Sequence, residues 1–213
     1  MDRSRIGIVI PALNESATIS AVVGAASHYG IPIVVDDGSA DATAELAARS
    51  GAVVVSHAKN QGYDGALNSG FLKAASLGCE IVITLDADGQ HDPSLIQRFI
   101  DAMAAGADVV IGMRSRRQRL AEHIFAWYTK LRYGIDDPLC GMKAYRMPVF
   151  AALGHFDSFN SIGTELALFA AKSGRPFRQL PFEVRERQGS SRFGRVLSGN
   201  LKILRAMALT VVR

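Results

Sequence analysis

Short apolar runs alternate with amphipathic segments along the first half of the chain. Each run is rich in β-branched residues and is bounded by turn-forming residues, a pattern typical of buried strands. These runs predict strands at residues 6–10, 31–35, 52–56, 81–85 and 108–111. Between them, apolar residues recur at helical spacing, and they predict helices at residues 19–26, 41–49, 65–77 and 92–105. Asn14 or Ser16 is expected to cap the first helix. The alternation predicts an α/β fold with a mainly parallel sheet and helices on both faces.

The second half of the chain is less regular. Residues 114–133 mix Arg and Lys with aromatic and aliphatic residues, and they predict a basic, aromatic amphipathic helix. The remaining predicted elements are a strand at 140–146, a helix at 164–173, a strand at 177–184 and a final helix from about Val196. Because Pro181 cannot donate a hydrogen bond to a neighbouring strand, the last strand is expected at a sheet edge.

The final helix carries an apolar stripe with Lys202 and Arg205 outside it. The stripe consists of Leu197, Leu201, Leu204, Ala208 and Val211. Together with the basic segment 114–133, it could lie on an anionic bilayer. Packing on the sheet and a dimer interface are the alternatives, and the sequence leaves all three open.

Composition narrows the class of protein. The 213 residues are 48% hydrophobic and 21% charged, which predicts one folded domain and excludes disordered and collagen-like chains. The two cysteines, Cys79 and Cys140, form no CxxC pair, so a zinc ribbon, a redox motif and a disulfide scaffold are excluded and a reduced cytosolic setting is expected. The sequence predicts neither a signal peptide nor a membrane-spanning segment.

Charge is distributed unevenly along the chain. Residues 1–112 carry 6 Lys and Arg against 13 Asp and Glu, whereas residues 113–213 carry 18 against 7. A basic second half indicates an anionic partner such as a membrane surface, a phosphorylated ligand or a nucleic acid, or else a surface that favours solubility. No RNA-binding module signature is present, and no nucleic-acid partner is expected.

Polar turns follow three of the predicted strands. They comprise residues 11–15, 36–39 and 86–90. Ligands of parallel α/β sheets bind outside the carboxyl ends of the strands, so these turns are expected to converge on one site. Asp86, Asp88 and Gln90 offer only oxygen ligands, which suit Mg²⁺ or Mn²⁺, although turn and cap acids give the same pattern. No GxGxxG or Walker A sequence occurs, so a diphosphate would be bound by a metal ion and arginines.

Five segments carry a resemblance to a known family. They are residues 9–15, 34–41, 60–70, 85–93 and 137–146. In this order they resemble the family 2 glycosyltransferases with a GT-A fold, especially the polyprenyl-phosphate branch that includes dolichyl-phosphate mannose synthase. Tyr63 and Asp64 are not the commonest residues of this family at their positions in the third segment, which is rich in glycine.

The resemblance implies an inverting, divalent-metal-dependent glycosyltransferase with a single GT-A domain over residues 1–213. Residues 1–112 would bind a UDP- or GDP-linked sugar, and residues 113–213 would form the acceptor side with its basic C-terminal helix. Polyprenyl phosphate is the first expected acceptor, and a soluble sugar or glycan hydroxyl is the second. A nucleotide-sugar-binding module without turnover and a nucleotidyltransferase remain alternatives.

The resemblance also implies a role for particular residues. The nucleotide pocket would be formed by Pro11, Leu13 and Glu15, with Val35 and Asp37 at the base. The sugar-diphosphate would lie at Asp86, Ala87 and Asp88, with Asp86, Asp88 and Gln90 as the metal ligands. Arg114 would meet the phosphates or the acceptor, and Asp137 would be the base that a hydroxyl acceptor needs. Arg187 and Arg192 would close over the diphosphate.

A cytoplasmic location is expected, with peripheral attachment at the cytoplasmic face of the membrane. A homo-oligomer and a separate membrane-anchoring subunit are further possible partners.

Overall fold

A computed structural model of the chain describes residues 2–89, 92–116, 119–183 and 196–212. Seven strands form one sheet in the order β3-β2-β1-β4-β6-β5-β7. Their bounds are β1 Ile6–Ala12, β2 Ile31–Asp36, β3 Val53–Ser56, β4 Ile81–Thr84, β5 Val109–Arg114, β6 Lys143–Arg146 and β7 Phe177–Phe182. Strand β6 is antiparallel to both of its neighbours, and all other pairs are parallel. The predicted mainly parallel sheet is confirmed.

Eight helices accompany the sheet in the described part of the chain. They are α1 Ile19–Ala26, α2 Thr43–Arg49, α3 Gly62–Ser76, α4 Leu95–Ala104, α5 Leu120–Tyr133, α6 Met147–Leu153, α7 Glu165–Lys172 and α8 Val196–Val212. One apolar cluster joins α1 and α4 to one face of the sheet, and a second joins α3, α6 and α7 to the other. Both faces are therefore covered, which explains why the central strands are continuous apolar runs.

Strand β1 continues through Pro11, where the sequence predicts its end. Pairing with β4 stops at Val9, so Pro11 has no neighbour on that side that needs its missing N–H group. On the other side Pro11 is aligned with Val35 of β2. The extra residues carry the chain directly to the edge of the sheet where the polar turns lie.

The predicted cap of α1 is wrong. Helix α1 begins after Thr18, which makes no side-chain capping hydrogen bond. Asn14 instead adopts a left-handed backbone conformation with φ 50°, and its side-chain oxygen accepts from the N–H of Ala40. A contact with a distant turn replaces the local cap, and local sequence cannot show this.

Helix α3 begins at Gly62, three residues before the predicted start, and lies close against β1. A Cβ atom on Gly70 would be 2.2 Å from the Val9 side chain, so only glycine permits this approach. Strand β6 is shorter than predicted, because residues 140–142 are irregular and precede it, and α6 was not predicted. In the described residues β7 pairs only with β5 and lies at the end of the sheet, which confirms the predicted edge position of Pro181.

Helices α5 and α8 pack against each other. Ala121 and Phe125 of α5 form an apolar cluster with Ile203 and Ala206 of α8. The side-chain oxygen of Asn200 accepts from the Ala121 N–H at 3.2 Å, which ties the start of α5 to α8. None of the helices in the described residues is long and apolar enough to cross a bilayer.

The predicted apolar stripe of α8 is not its buried face. Leu201 is 70% exposed and Leu204 is 38% exposed, whereas Ile203, Ala206 and Thr210 are buried. The leucines therefore do not pack on the sheet. The side chains of Leu197 and Val211 lie outside the described part of the chain.

Candidate active site

The turns that follow β1, β2 and β4 meet at the carboxyl edge of the sheet. The Asn14 N–H donates to Ser39 Oγ at 2.8 Å, and the Glu15 N–H donates to Thr43 Oγ1 at 2.8 Å. Thr18 Oγ1 donates to the Ala87 carbonyl at 2.7 Å, so the third turn is joined to the first. Three of the predicted pocket residues, Pro11, Leu13 and Glu15, are half-buried along this edge. The convergence predicted from the sequence is confirmed.

The Asp37 carboxylate holds the start of α3. Its two oxygens accept from the N–H groups of Gln61 at 2.8 Å and Gly62 at 2.9 Å. His57 Nδ1 lies 2.7 Å from the same carboxylate, and His57 Nε2 lies 2.8 Å from Ser69 Oγ. A carboxylate at a helix N-terminus is favoured by the helix dipole. Asp37 therefore fixes the geometry of the turn.

Val35 and Asp37 are both buried, at 0% and 4% exposure. Val35 lies in β2 and Asp37 directly follows it, and their contact with a base stays a prediction. Sequence reasoning gave no role to His57. His57 directly follows β3 at the same edge of the sheet as Asp37, and this position could have identified it as a site residue.

The predicted metal ligands lie in the turn after β4. Asp86 is half-buried, Ala87 is buried and Asp88 is 6% exposed. A Cβ on Gly141 would be 2.2 Å from Asp86 Oδ2, so the bare backbone of Gly141 makes room for this carboxylate. Gln90 lies outside the described residues.

The residues present in this turn fit a hard divalent cation. The described part of the chain contains no group of three or more His, Cys, Asp or Glu side chains that could hold a metal. Mg²⁺, however, is commonly held by one or two carboxylates together with waters and substrate phosphates. Two carboxylates in one turn, with space kept for the first by Gly141, match that requirement.

Arg114 and Asp137 form a buried ion pair. Asp137 is 1% exposed, and its oxygens accept from Arg114 Nε at 2.8 Å and Nη2 at 2.9 Å. The Arg114 backbone N–H donates to the same carboxylate at 3.1 Å. Glu122 of α5 lies 3.3 Å from Arg114 Nη2. The sequence predicted separate roles for Arg114 and Asp137, and the structure joins them.

Burial lowers the pKa of the Arg114 guanidinium, but the hydrogen bonds and charge of Asp137 outweigh burial and raise that pKa above its ordinary value. The group is therefore a permanent cation. Its Nη1 atom makes no hydrogen bond within the described part of the chain, and the side chain remains 20% exposed. Arg114 thus has two N–H donors available to an anionic ligand.

Asp137 is not arranged as a free base. Both of its oxygens accept from Arg114, and the side chain is sealed from solvent. A general base must reach the proton that it removes. The base role implied for Asp137 stays a prediction that this geometry does not favour.

Lys143 lies between the turn after β4 and Arg114, and the sequence reasoning did not single it out. It is 2% exposed at the start of β6, where Thr84 of β4 is aligned with it. Its ammonium group donates to the Gly163 carbonyl at 2.9 Å. Burial lowers the pKa of Lys143, while the charges of Asp137 and Asp86 act in the opposite direction. Lys143 therefore lies beside both the acidic turn and the Arg114–Asp137 pair.

Antiparallel β6 explains how these groups meet. Its first residue lies at the same edge as the last residues of β4 and β5, so residues 137–143 enter the site from the side. The structure thereby brings Asp86, Arg114 and Asp137 to one edge. Arg187 and Arg192 lie outside the described residues.

A mainly parallel α/β sheet with an acidic turn after β4 defines the class of this protein: it has the GT-A fold of nucleotide-sugar glycosyltransferases. The model of the family described as Glycosyl transferase family 2 matches residues 7–162, and the chain belongs to that family. The enzyme class expected from the sequence is confirmed.

Two relatives bear names from the polyprenyl-phosphate branch. Polyprenol monophosphomannose synthase of Mycolicibacterium smegmatis is 33% identical over 164 residues, which cover 67% of this chain and 62% of that protein. Undecaprenyl-phosphate 4-deoxy-4-formamido-L-arabinose transferase of Edwardsiella ictaluri is 32% identical over 211 residues, which cover 89% of this chain and 63% of that protein. The resemblance to this branch is confirmed.

Solved structures of glucosyl-3-phosphoglycerate synthase from Mycobacterium tuberculosis share the fold. The complex with Mn²⁺ and UDP-glucose has a TM-score of 0.72 and 25% identity, and the match covers 99% of this chain and 77% of that one. The complex with phosphoglyceric acid has a TM-score of 0.75 and 22% identity, over 97% of this chain and 80% of that one.

Proposed function

We propose that the protein transfers a sugar from a UDP- or GDP-linked donor to polyprenyl phosphate, with inversion at the anomeric carbon. Asp86 and Asp88, with Gln90, would bind Mg²⁺ or Mn²⁺. The names of the two polyprenol and undecaprenyl-phosphate relatives support this acceptor class. The structural neighbour that holds Mn²⁺ and UDP-glucose supports the donor class and a divalent metal.

The arrangement of Arg114 and Asp137 carries the proposal. Both oxygens of Asp137 accept hydrogen bonds from Arg114, so Asp137 is poorly placed to act as the base that a hydroxyl acceptor needs. The Nη1 donors of Arg114, which have no partner among the described residues, suit an anionic group instead. A phosphate acceptor is already an anion and needs no strong base. This observation favours a lipid phosphate over a sugar or glycan hydroxyl.

In the proposed reaction, a phosphate oxygen of the acceptor forms a bond to the anomeric carbon as the bond to the diphosphate breaks. The electron pair of the broken bond leaves with the nucleoside diphosphate. A divalent cation, when bound, supplies positive charge to that leaving group. Arg114 adds a permanent positive charge at the same edge. Arg187 and Arg192 remain predicted contacts of the diphosphate.

The exposed surface of α5 supports a membrane partner. Leu120, Ile124, Trp127 and Leu131 follow one another at helical spacing and are 72%, 41%, 67% and 75% exposed. Lys130 and Arg132 of α5 are exposed as well.

The neighbouring α8 has the same character, with exposed Leu201 and Leu204 beside exposed Lys202 and Arg205. Apolar residues flanked by cations suit an anionic lipid surface. We therefore propose peripheral attachment at the cytoplasmic face of a membrane. A second copy of the chain and an anchoring subunit are the competing occupants of this face.

The experiment is a transfer assay with radiolabelled UDP- and GDP-hexoses. The acceptors are polyprenyl phosphate in vesicles and, in parallel, soluble alkyl glycosides, each with Mg²⁺, Mn²⁺ or EDTA. We expect label in the lipid phase, dependence on metal, and loss of transfer in Asp88→Asn. Asp101→Asn, on the exposed face of α4, is the matched control and keeps full activity.

Titration calorimetry of UDP and GDP under the same three metal conditions gives an independent measure of the donor site. Metal-dependent binding of one nucleotide is the expected result. Transfer to the alkyl glycoside alone would contradict the lipid acceptor. Nucleotide binding without any transfer would identify a binding module, and full activity of Asp88→Asn would refute the metal assignment.

A further inference from the structure

Glu122 is the only acidic residue between Arg114 and Tyr133. It lies in the first turn of α5 and is 5% exposed. A carboxylate in a buried position is costly unless it is paired. Its burial within an otherwise basic segment therefore requires a partner on the inner side of the helix.

Two arginines provide that partnership. Glu122 Oε2 lies 3.3 Å from Arg114 Nη2, and Glu122 Oε1 lies 3.6 Å from Arg119 Nη1. Arg114 is bound in turn by Asp137. Among the described residues, Arg114 and Arg119 thus link Glu122 and Asp137 into one network that joins the end of β5, the start of α5 and the turn before β6.

The network restricts the direction of the Arg114 guanidinium. Asp137 accepts from Nε and Nη2, and Glu122 accepts from Nη2. Because the guanidinium is planar, fixing two of its nitrogens also fixes the third. Nη1 makes no hydrogen bond to either carboxylate among the described residues.

We propose that Glu122 is a positioning residue for Arg114. It aims Nη1 at the phosphate groups of the substrates, and it fastens α5 to the catalytic edge of the sheet. Since α5 also carries the exposed apolar stripe, the segment facing the acceptor and the arginine at the phosphates are held as one unit. This inference rests on the proposed function.

The test compares Glu122→Gln with Glu45→Gln. Glu45 also lies in the first turn of a helix and also pairs with an arginine, Arg49, but both side chains are exposed. A hydrogen bond to a charged group that is lost in a buried site lowers kcat/KM by roughly 10- to 100-fold. We expect that loss for Glu122→Gln, mainly in kcat, and no change for Glu45→Gln. Glu122→Asp keeps the charge and is expected to recover part of the rate.

A second measurement does not depend on turnover. The Arg114 Nε–H signal in ¹⁵N NMR is expected to shift and to exchange faster with solvent in Glu122→Gln, and to stay unchanged in Glu45→Gln. If Glu122→Gln is unfolded, the same two readouts on Glu122→Asp decide the matter. An unchanged Arg114 signal together with an unchanged rate overturns the proposal. The two proposals can also fail separately. If the Arg114 signal shifts in Glu122→Gln but the wild-type protein transfers no sugar, Glu122 still positions Arg114 and the proposed function is refuted.

Discussion

The Asp64 carboxyl lies in an electrostatically unfavourable environment. Its side chain is 8% exposed, and among the described residues its Oδ1 atom has no hydrogen-bond partner. Oδ2 accepts from the N–H of Ile162, which adopts a left-handed conformation with φ 60°. Burial and the nearby charge of Asp157 raise the pKa of Asp64 to about 7. This carboxyl supports a strained turn at the cost of stability.

We predict that Asp64→Asn stabilises the protein at alkaline pH. The folded protein keeps a proton on Asp64 between pH 4 and 7, whereas the unfolded chain releases it. The free energy of unfolding therefore falls as pH rises through this range, by on the order of 4 kcal/mol, and then stays level. Urea denaturation of the variant and the wild type at pH 5 and pH 8 measures the difference.

The matched control is Asp157→Asn. Both oxygens of Asp157 accept backbone N–H groups, from Phe159 and Ser161, so this variant is expected to be destabilised at both pH values. If the stability difference between Asp64→Asn and the wild type is the same at pH 5 and pH 8, the raised pKa is wrong.

Gly141 gives a second prediction at this scale. In Gly141→Ala the new methyl group would displace the Asp86 carboxylate, and affinity for Mn²⁺ is expected to fall about 10- to 100-fold. Calorimetric titration with Mn²⁺ in the presence of nucleotide measures the loss. Gly24→Ala, in α1, meets no atom within 4 Å and should bind Mn²⁺ like the wild type. Unchanged Mn²⁺ binding in Gly141→Ala would remove Asp86 from the metal site.

At the scale of elements, α5 has two apolar faces with different tasks. Ala121 and Phe125 are buried against α8, whereas Trp127 and Leu131 are exposed. A single sequence shows one broad amphipathic pattern here, and only the packing of α8 reveals which residues face outward. For this reason the sequence could not decide whether the apolar residues lie on a bilayer, pack on the sheet or form a dimer interface.

We predict that Leu131→Glu weakens association with anionic vesicles by at least about 10-fold, because an exposed apolar side chain is replaced by an anion. Its thermal stability should match that of the wild type, since Leu131 is 75% exposed. Trp127 is the only tryptophan, so a blue shift of its fluorescence on adding vesicles measures binding directly. Leu72→Glu, at a 60% exposed position of α3, is the control.

Concentration-dependent dimerisation that Leu131→Glu abolishes, with no vesicle binding by the wild type, would identify a second copy of the chain as the occupant. Equal vesicle binding by Leu131→Glu and the wild type would also contradict the membrane assignment.

Strand positions were predicted to within a few residues, because buried strands of a parallel sheet are continuous apolar runs. Helix starts were less accurate, since contacts from other turns replace local caps, as Asn14 shows. The acidic turns of the site could be predicted from the sequence because each of them follows a strand. The pairing of Arg114 with Asp137 could not be predicted from the sequence. It depends on the antiparallel direction of β6, which local sequence patterns do not show.

At the scale of the whole molecule, one sheet unites the acidic and the basic parts of the chain. Strands β1 to β4 come from the acidic part, and β6 and β7 come from the basic part. The acidic turn after β4 suits a cation, and the nearby Arg114 suits an anion. The acidic and the basic parts of the sequence thus meet at one edge of the sheet, where the candidate site lies.

The insertion of β6 between β4 and β5 also affects how the protein is made. Thr84 and Lys143 are aligned neighbours although 59 residues separate them. A nascent chain that has emerged only as far as β5 has no partner for that edge of β4, and an unpaired apolar edge invites association with other chains. Closing so long a loop is entropically costly and slows folding. Synthesis of β6 therefore pairs the edge of β4 and brings residues 137–143 to the candidate site in the same step.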